Sequence, residues 1–235
     1  MQLKIVGLGD STTAGTPQFL SPLEAPPRGE GNLESQYAYW MMRGHPDWTV
    51  LNRGINGQRS DEILDRFERD VVSKTPDCVI ILAGVNDGVS VDLIKKNLLG
   101  MYERAVGSGI VPIAATVLPY NAASELEARN IRELNNWIRD TARNLNIPFC
   151  DTNVLVADPE NPNRLKTSPD GLHPDVSGYR AMAIGLVAVI TEHFSQGNKK
   201  LTDLSLRHLR GALLHYRSLY DSNSARGVSW HSPGR

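Results

Sequence analysis

Neither sign of charge is in excess. Lysine and arginine total 25 against 26 aspartates and glutamates, a formal net charge of −1. The chain therefore lacks the basic footprint that would draw nucleic acid or an anionic membrane surface. Long apolar runs are missing too. The most apolar later stretch, Ala181 to Ile190, is too short to span a bilayer as a helix. The opening MQLKIVGLGD is an apolar run of strand length leading into a Gly-rich turn, not a secretory signal with a cleavage site. The reading is a cytoplasmic protein, although a secreted form whose signal had been removed would look the same. Cysteine is scarce. Cys78 and Cys150 are too few for a disulfide framework. They fall at the start of one predicted strand and the end of another, near opposite edges of a parallel sheet, and read as free buried thiols. Repeats and low-complexity tracts are absent. His45 and His193 have no acidic or histidine neighbour at ligand spacing, so no metal is expected, nor any cofactor.

The remainder is ordinary for a globular protein: 235 residues, 40% hydrophobic and 22% charged, enough to bury a core. Apolar strand-like runs occur at Leu3–Gly7, Thr49–Asn52, Cys78–Ala83, Val111–Val117 and Pro148–Asp151. Helix-period segments alternate with them: Leu33–Arg43, Ser60–Val72, Val91–Gly107, Leu126–Leu145 and Val176–His193. Ser60 with Asp61 and Glu62 suits a helix start, and Ser124 with Glu127 has capping-box spacing. Strand–helix alternation repeated five times predicts a parallel sheet with helices on both faces. The expected fold is thus α/β, a three-layer α/β/α domain with a five-stranded parallel sheet of flavodoxin-like type.

Two segments break the rhythm. Residues 16–32 carry four prolines and read as an extended loop, and a loop of that length is usually functional or disordered. After residue 196, Leu201, Leu204, Leu209, Leu213 and Tyr216 recur at helical spacing beside Arg207, Arg210 and Arg217. The expected organisation is a main α/β domain over residues 1–196, a helical extension over 197–220 that packs on the domain or forms a homo-oligomer, and a disordered tail over 221–235.

In open parallel sheets, ligands bind beyond the carboxyl ends of the strands. Gly9-Asp10-Ser11-Thr12 follows the first strand, and Asn52-Arg53-Gly54-Ile55-Asn56-Gly57 covers the end of the second. Gly84-Val85-Asn86-Asp87 follows the third, and Asp170-Gly171-Leu172-His173-Pro174 precedes the last helix. A small nucleophile, a backbone donor, an amide and an Asp-His pair would all meet on one rim. A serine hydroxyl needs a neighbouring base to take its proton, and a carboxylate must orient that base. Asp10 reads as structural, bracing the turn.

These four blocks, in this order and beside these elements, resemble the SGNH, or GDSL-type, hydrolase family over roughly residues 3 to 195. The resemblance implies an esterase fold and activity, with Ser11 as nucleophile, His173 as base and Asp170 orienting it. It also implies oxyanion donors from the Ser11 and glycine backbone and from Asn86. Gly57 takes the glycine role because it precedes the Gln58-Arg59-Ser60 helix start, with Gly54 as the alternative. Thr12 departs from the leucine of the family name and puts substrate preference in question.

The expected substrate is a small ester with a short acyl chain, cleaved through an acyl-enzyme. Carbohydrate acetylesterase, lysophospholipase and thioesterase activities stand as alternatives within the family. Phe19, Leu20, Leu118 and Tyr120 are candidate apolar cleft-liners. A nucleotide- or phosphate-binding module is the rival from a different class. However, Gly7-Leu8-Gly9 has Thr12 where the dinucleotide fingerprint needs glycine, and no P-loop string occurs. The G-x-S-x-G elbow of the α/β-hydrolases is absent as well.

Overall fold

A computed structural model describes residues 1–15, 33–88 and 90–195, with positions 211 and 214. Expectations for residues 16–32, including Phe19 and Leu20, and for the helical extension and tail lie outside the described residues, as all but those two C-terminal positions are undescribed.

Five parallel strands form one sheet. They are β1 (Leu3–Gly9), β2 (Trp48–Gly54), β3 (Cys78–Leu82), β4 (Val111–Ala115) and β5 (Phe149–Cys150), in the order β2-β1-β3-β4-β5. This is the flavodoxin-like order. Side chains alternate across the sheet as strand geometry requires. Leu3, Ile5, Cys78, Ile80, Leu82, Val111 and Ile113 belong to one apolar cluster, while Val6, Leu8, Val79, Ile81 and Ala114 belong to the other. The sheet is therefore buried on both faces, which explains why its strands read as near-continuous apolar runs.

The eight helices among the described residues are α1 (Ser11–Ala14), α2 (Tyr37–Gly44), α3 (Ser60–Asp65), α4 (Phe67–Asp70), α5 (Val91–Gly107), α6 (Glu125–Leu145), α7 (Thr152–Val156) and α8 (Val176–Ser195). Helices α2 and α8 cover the first cluster; α3, α4, α5 and α6 cover the second. Gly7 lets α2 approach closely, since a Cβ there would lie 2.6 Å from the buried Tyr37 hydroxyl. The capping box of α6 forms as its spacing predicts: the Ser124 N–H donates to Glu127 at 2.8 Å, and the Glu127 N–H donates to Ser124 Oγ at 3.3 Å.

The structure differs from the sequence pattern in detail. The segment predicted as one helix from Ser60 to Val72 is two short helices meeting at Arg66, followed by a 3-10 turn over Val72–Lys74. The start of Leu33–Arg43 is likewise a 3-10 turn, Leu33–Ser35. Strand β1 runs two residues further than its apolar run, through Leu8, which is buried in the second cluster, and Gly9, both of which stay in the ladder with β2 and β3. Strand β5 shrinks to two residues on the edge of the sheet. Helices α1 and α7 are one-turn elements too short to show a period. Cys78 and Cys150 are buried and unbridged. Cys78 opens the central strand rather than an outer one, and burial pushes the Cys150 thiol up to about 12.

The chain turns outward from β1 to β2, then returns to lay β3 on the other side of β1. Gly9, Gly54 and Leu82 stand level in the ladder, so the segments after them leave the sheet side by side at its switch point. That is where such sheets bind ligands.

Candidate active site

Asp10 stands between β1 and α1, as the N-cap of the helix. Its buried carboxylate accepts the Thr12 N–H at 2.9 Å, and its carbonyl accepts from Thr13 and Ala14. This is N-cap chemistry, as the bracing reading expects, and it presents Ser11 on the first turn of α1. Burial pushes the Asp10 carboxyl up to about 6, with the Thr12 N–H partly opposing.

The last helix is preceded by a loop folded back on itself. Asp170 Oδ1 accepts the N–H groups of Leu172 and His173, each at 2.9 Å, while Oδ2 lies 2.7 Å from His173 Nδ1. His173 Nε2 lies 2.8 Å from Ser11 Oγ. Burial alone would raise the Asp170 carboxyl, but the three hydrogen bonds around it prevail and hold it at about 2. An ionised carboxylate only accepts, so Nδ1 carries the proton and donates to Asp170. Nε2 is then the acceptor for the Ser11 hydroxyl. Gly171, at φ +79°, makes the turn and would strain an L side chain. Ser168 closes the loop: its Oγ accepts the Gly171 N–H at 2.8 Å and donates to the His173 carbonyl at 2.6 Å. Nothing in the sequence singles out this serine.

The segments after β2 and β3 face each other. Asn86 Nδ2 donates to the Gln58 carbonyl at 3.0 Å. Asp87 accepts from the Ser60 N–H at 2.9 Å and from the Ser60 hydroxyl, which also accepts from Asn97. Arg66 is buried at the junction of α3 and α4. Its guanidinium donates to Gln58 Oε1 at 2.6 Å, to the carbonyls of Arg53 and Gly9 at 2.8 Å each, and to Asp70 at 2.9 Å. Sequence reasoning missed this group, since an arginine inside an apparent helix reads as surface.

Ser11, His173, Gly57 and Asn86 line one cleft of about 450 Å³, together with the buried Asp10 and Thr12. Its lining also includes Leu118 and Tyr120, with Val85, Val117 and Leu172. Of the sequence-selected catalytic and donor positions, Gly57, Asn86 and His173 thus share the cleft with Ser11, while Asp170 reaches it only through the His173 ring. Gly57 is exposed at φ +74°, with open space where a Cβ would stand. Gly54 instead lies buried at the end of β2, against α1. Among the described residues, no group of three His, Cys, Asp or Glu could hold a metal ion, and no helix is long and apolar enough to cross a membrane.

A model of the GDSL-like lipase/acylhydrolase family matches residues 8–181. The acetylxylan esterase of Geobacillus stearothermophilus is 24% identical over 210 residues, which span 77% of this chain and 90% of that protein. A lipoprotein of Bacillus subtilis, YqeF, is 26% identical over 185 residues, 63% of this chain and 69% of the relative. Among solved structures, a lipolytic protein of the G-D-S-L family from Desulfitobacterium hafniense superposes with a TM-score of 0.65 at 26% identity, over 80% of this chain and 99% of that one.

Proposed function

Because the chain belongs to the GDSL-like lipase/acylhydrolase family of ester hydrolases, we propose that it is a serine carboxylesterase that cleaves short-acyl esters through an acyl-enzyme on Ser11. The observation that carries the reading is the continuous relay Ser11–His173–Asp170, with contacts of 2.8 and 2.7 Å, opening on the cleft. Ser11 Oγ attacks the ester carbonyl carbon while its proton passes to His173 Nε2. Asp170 holds the ring tautomer and stabilises the imidazolium. The oxyanion takes hydrogen bonds from the Ser11 and Gly57 N–H groups and from Asn86 Nδ2. When the intermediate collapses, the carbon–oxygen bond to the alcohol breaks and His173 returns its proton to the departing oxygen. Water then attacks the acyl group, His173 again taking a proton, and the acid leaves with Ser11 restored.

A carbohydrate acetylester is the second reading, favoured by the likeness to an acetylxylan esterase. Both readings require a short acyl group and differ in the alcohol. The two unbridged thiols suit a cytoplasmic enzyme, whereas one relative is a lipoprotein; cell fractionation separates these settings.

The test is covalent. A fluorophosphonate should modify Ser11 stoichiometrically, and peptide mapping should find no other labelled serine. Stoichiometric labelling elsewhere sinks the assignment. A panel of p-nitrophenyl esters from acetate to decanoate, run beside acetylated xylooligosaccharides, then ranks acyl length and alcohol.

A further inference from the structure

The two sides of the proposed oxyanion site come from different strands, and something must fix their separation. Donors for a developing oxyanion are effective only when held in place before charge appears. A primary amide on a turn would otherwise rotate freely. Asn86 Nδ2 commits one hydrogen to the Gln58 carbonyl, which sets the plane of the amide and leaves the second hydrogen for a ligand. The orientation of Asn86 is therefore inherited from Gln58, one residue beyond Gly57 in an exposed stretch. Gln58 is held in turn by its own side chain, through the 2.6 Å bond from Arg66 Nε.

Arg66 is suited to hold it. The guanidinium is 6% exposed, paired with Asp70, and bonded to the last residue of β1 and to Arg53 of β2. Its donors are rigid and fork-shaped, so the position of Gln58 is referred directly to the ends of the two strands that carry Ser11 and Gly57. We infer that the Arg66–Gln58 pair is a positioning device for the oxyanion site, acting through the Asn86 amide without touching substrate. The inference rests on the proposed role of Asn86.

Arg66 variants are a poor probe, because they also release both strand ends. Gln58→Ala is the informative change: it removes the prop but leaves Arg66 bonded to Gly9, Arg53 and Asp70. Turnover of a short p-nitrophenyl ester should fall about tenfold, less than the roughly 10²- to 10³-fold expected when a donor itself is deleted by Asn86→Ala. KM should stay within about twofold, since the loss is confined to the transition state, and the melting temperature should barely move. In an Asn86→Ala background, Gln58→Ala should cost much less than in the parent, as expected for residues acting through one another. Normal turnover in Gln58→Ala, or equal losses in both backgrounds, would overturn the positioning role while Asn86→Ala still shows its full defect. Near-normal turnover in Asn86→Ala alone overturns the oxyanion reading, and the inference with it.

Discussion

Asp10 and Asp170 flank the same serine–histidine pair, and their surroundings drive them in opposite directions. Asp170 accepts three hydrogen bonds and is held at about 2; Asp10, buried with one N–H donor, rises to about 6. Folding depresses the Asp170 carboxyl, so its contribution to stability is present above the ordinary value of 3.8 and is lost as pH falls toward 2. Folding raises Asp10, so the native state binds that proton more tightly than the unfolded chain. Its contribution is most favourable below pH 3.8 and is lost as pH rises through about 6. Asp10→Asn keeps an acceptor for the Thr12 N–H and cannot ionise. It should stabilise the protein by on the order of 2 to 3 kcal/mol above pH 6, with the gain shrinking toward pH 4. Urea unfolding at pH 4, 5.5 and 7.5 measures this, and a pH-independent difference would refute it. At this scale the site was partly legible. Ser11, Asp170 and His173 carry their chemistry in their identity and spacing. Ser168, Gln58 and Arg66 do not, because a hydroxyl, an amide or a guanidinium acquires its task only from loop geometry.

Elements meet here through glycines with different jobs. A Cβ on Gly54 would fall on the Ala14 nitrogen and lie 2.6 Å from Asp10 O. Those are backbone atoms of the turn that carries Ser11, and they cannot step aside. Gly57 has open space but a φ of +74°. Gly54→Ala should therefore cost about 3 kcal/mol or prevent folding, whereas Gly57→Ala should cost about 1 kcal/mol of backbone strain. Paired melting curves decide, and the reverse order would contradict this account. The same contacts explain the limits of periodicity. The five strands and the long helices α5, α6 and α8 were legible because their apolar spacing extends over enough residues. The break at Arg66 was not, since its cause is a set of carbonyls contributed by β1 and β2.

For the molecule as a whole, strand–helix alternation carried the layer architecture, and the flavodoxin-like type carried the order of the strands. The register that levels Gly9, Gly54 and Leu82 could not be read from either, because it is set by side chains packing on both faces. All five proposed catalytic and donor residues precede residue 196. A chain ending at Gln196 should accordingly retain hydrolysis of a short ester with kcat/KM within about threefold of the full chain, a shift of well under 1 kcal/mol. Loss of activity from a folded truncation would place part of the site in the C-terminal segment.

The hydrogen bond between Ser11 and His173 joins residues 162 positions apart. Contacts of such separation carry the entropy cost of closing a long loop, and they are slow to form for that reason. On the proposed reading, a nascent polypeptide on the ribosome is chemically silent until His173 has emerged and the loop before α8 has docked. An intermediate with β1 to β4 in place holds the nucleophile without its base. Such a species cannot attack esters while it is still being made.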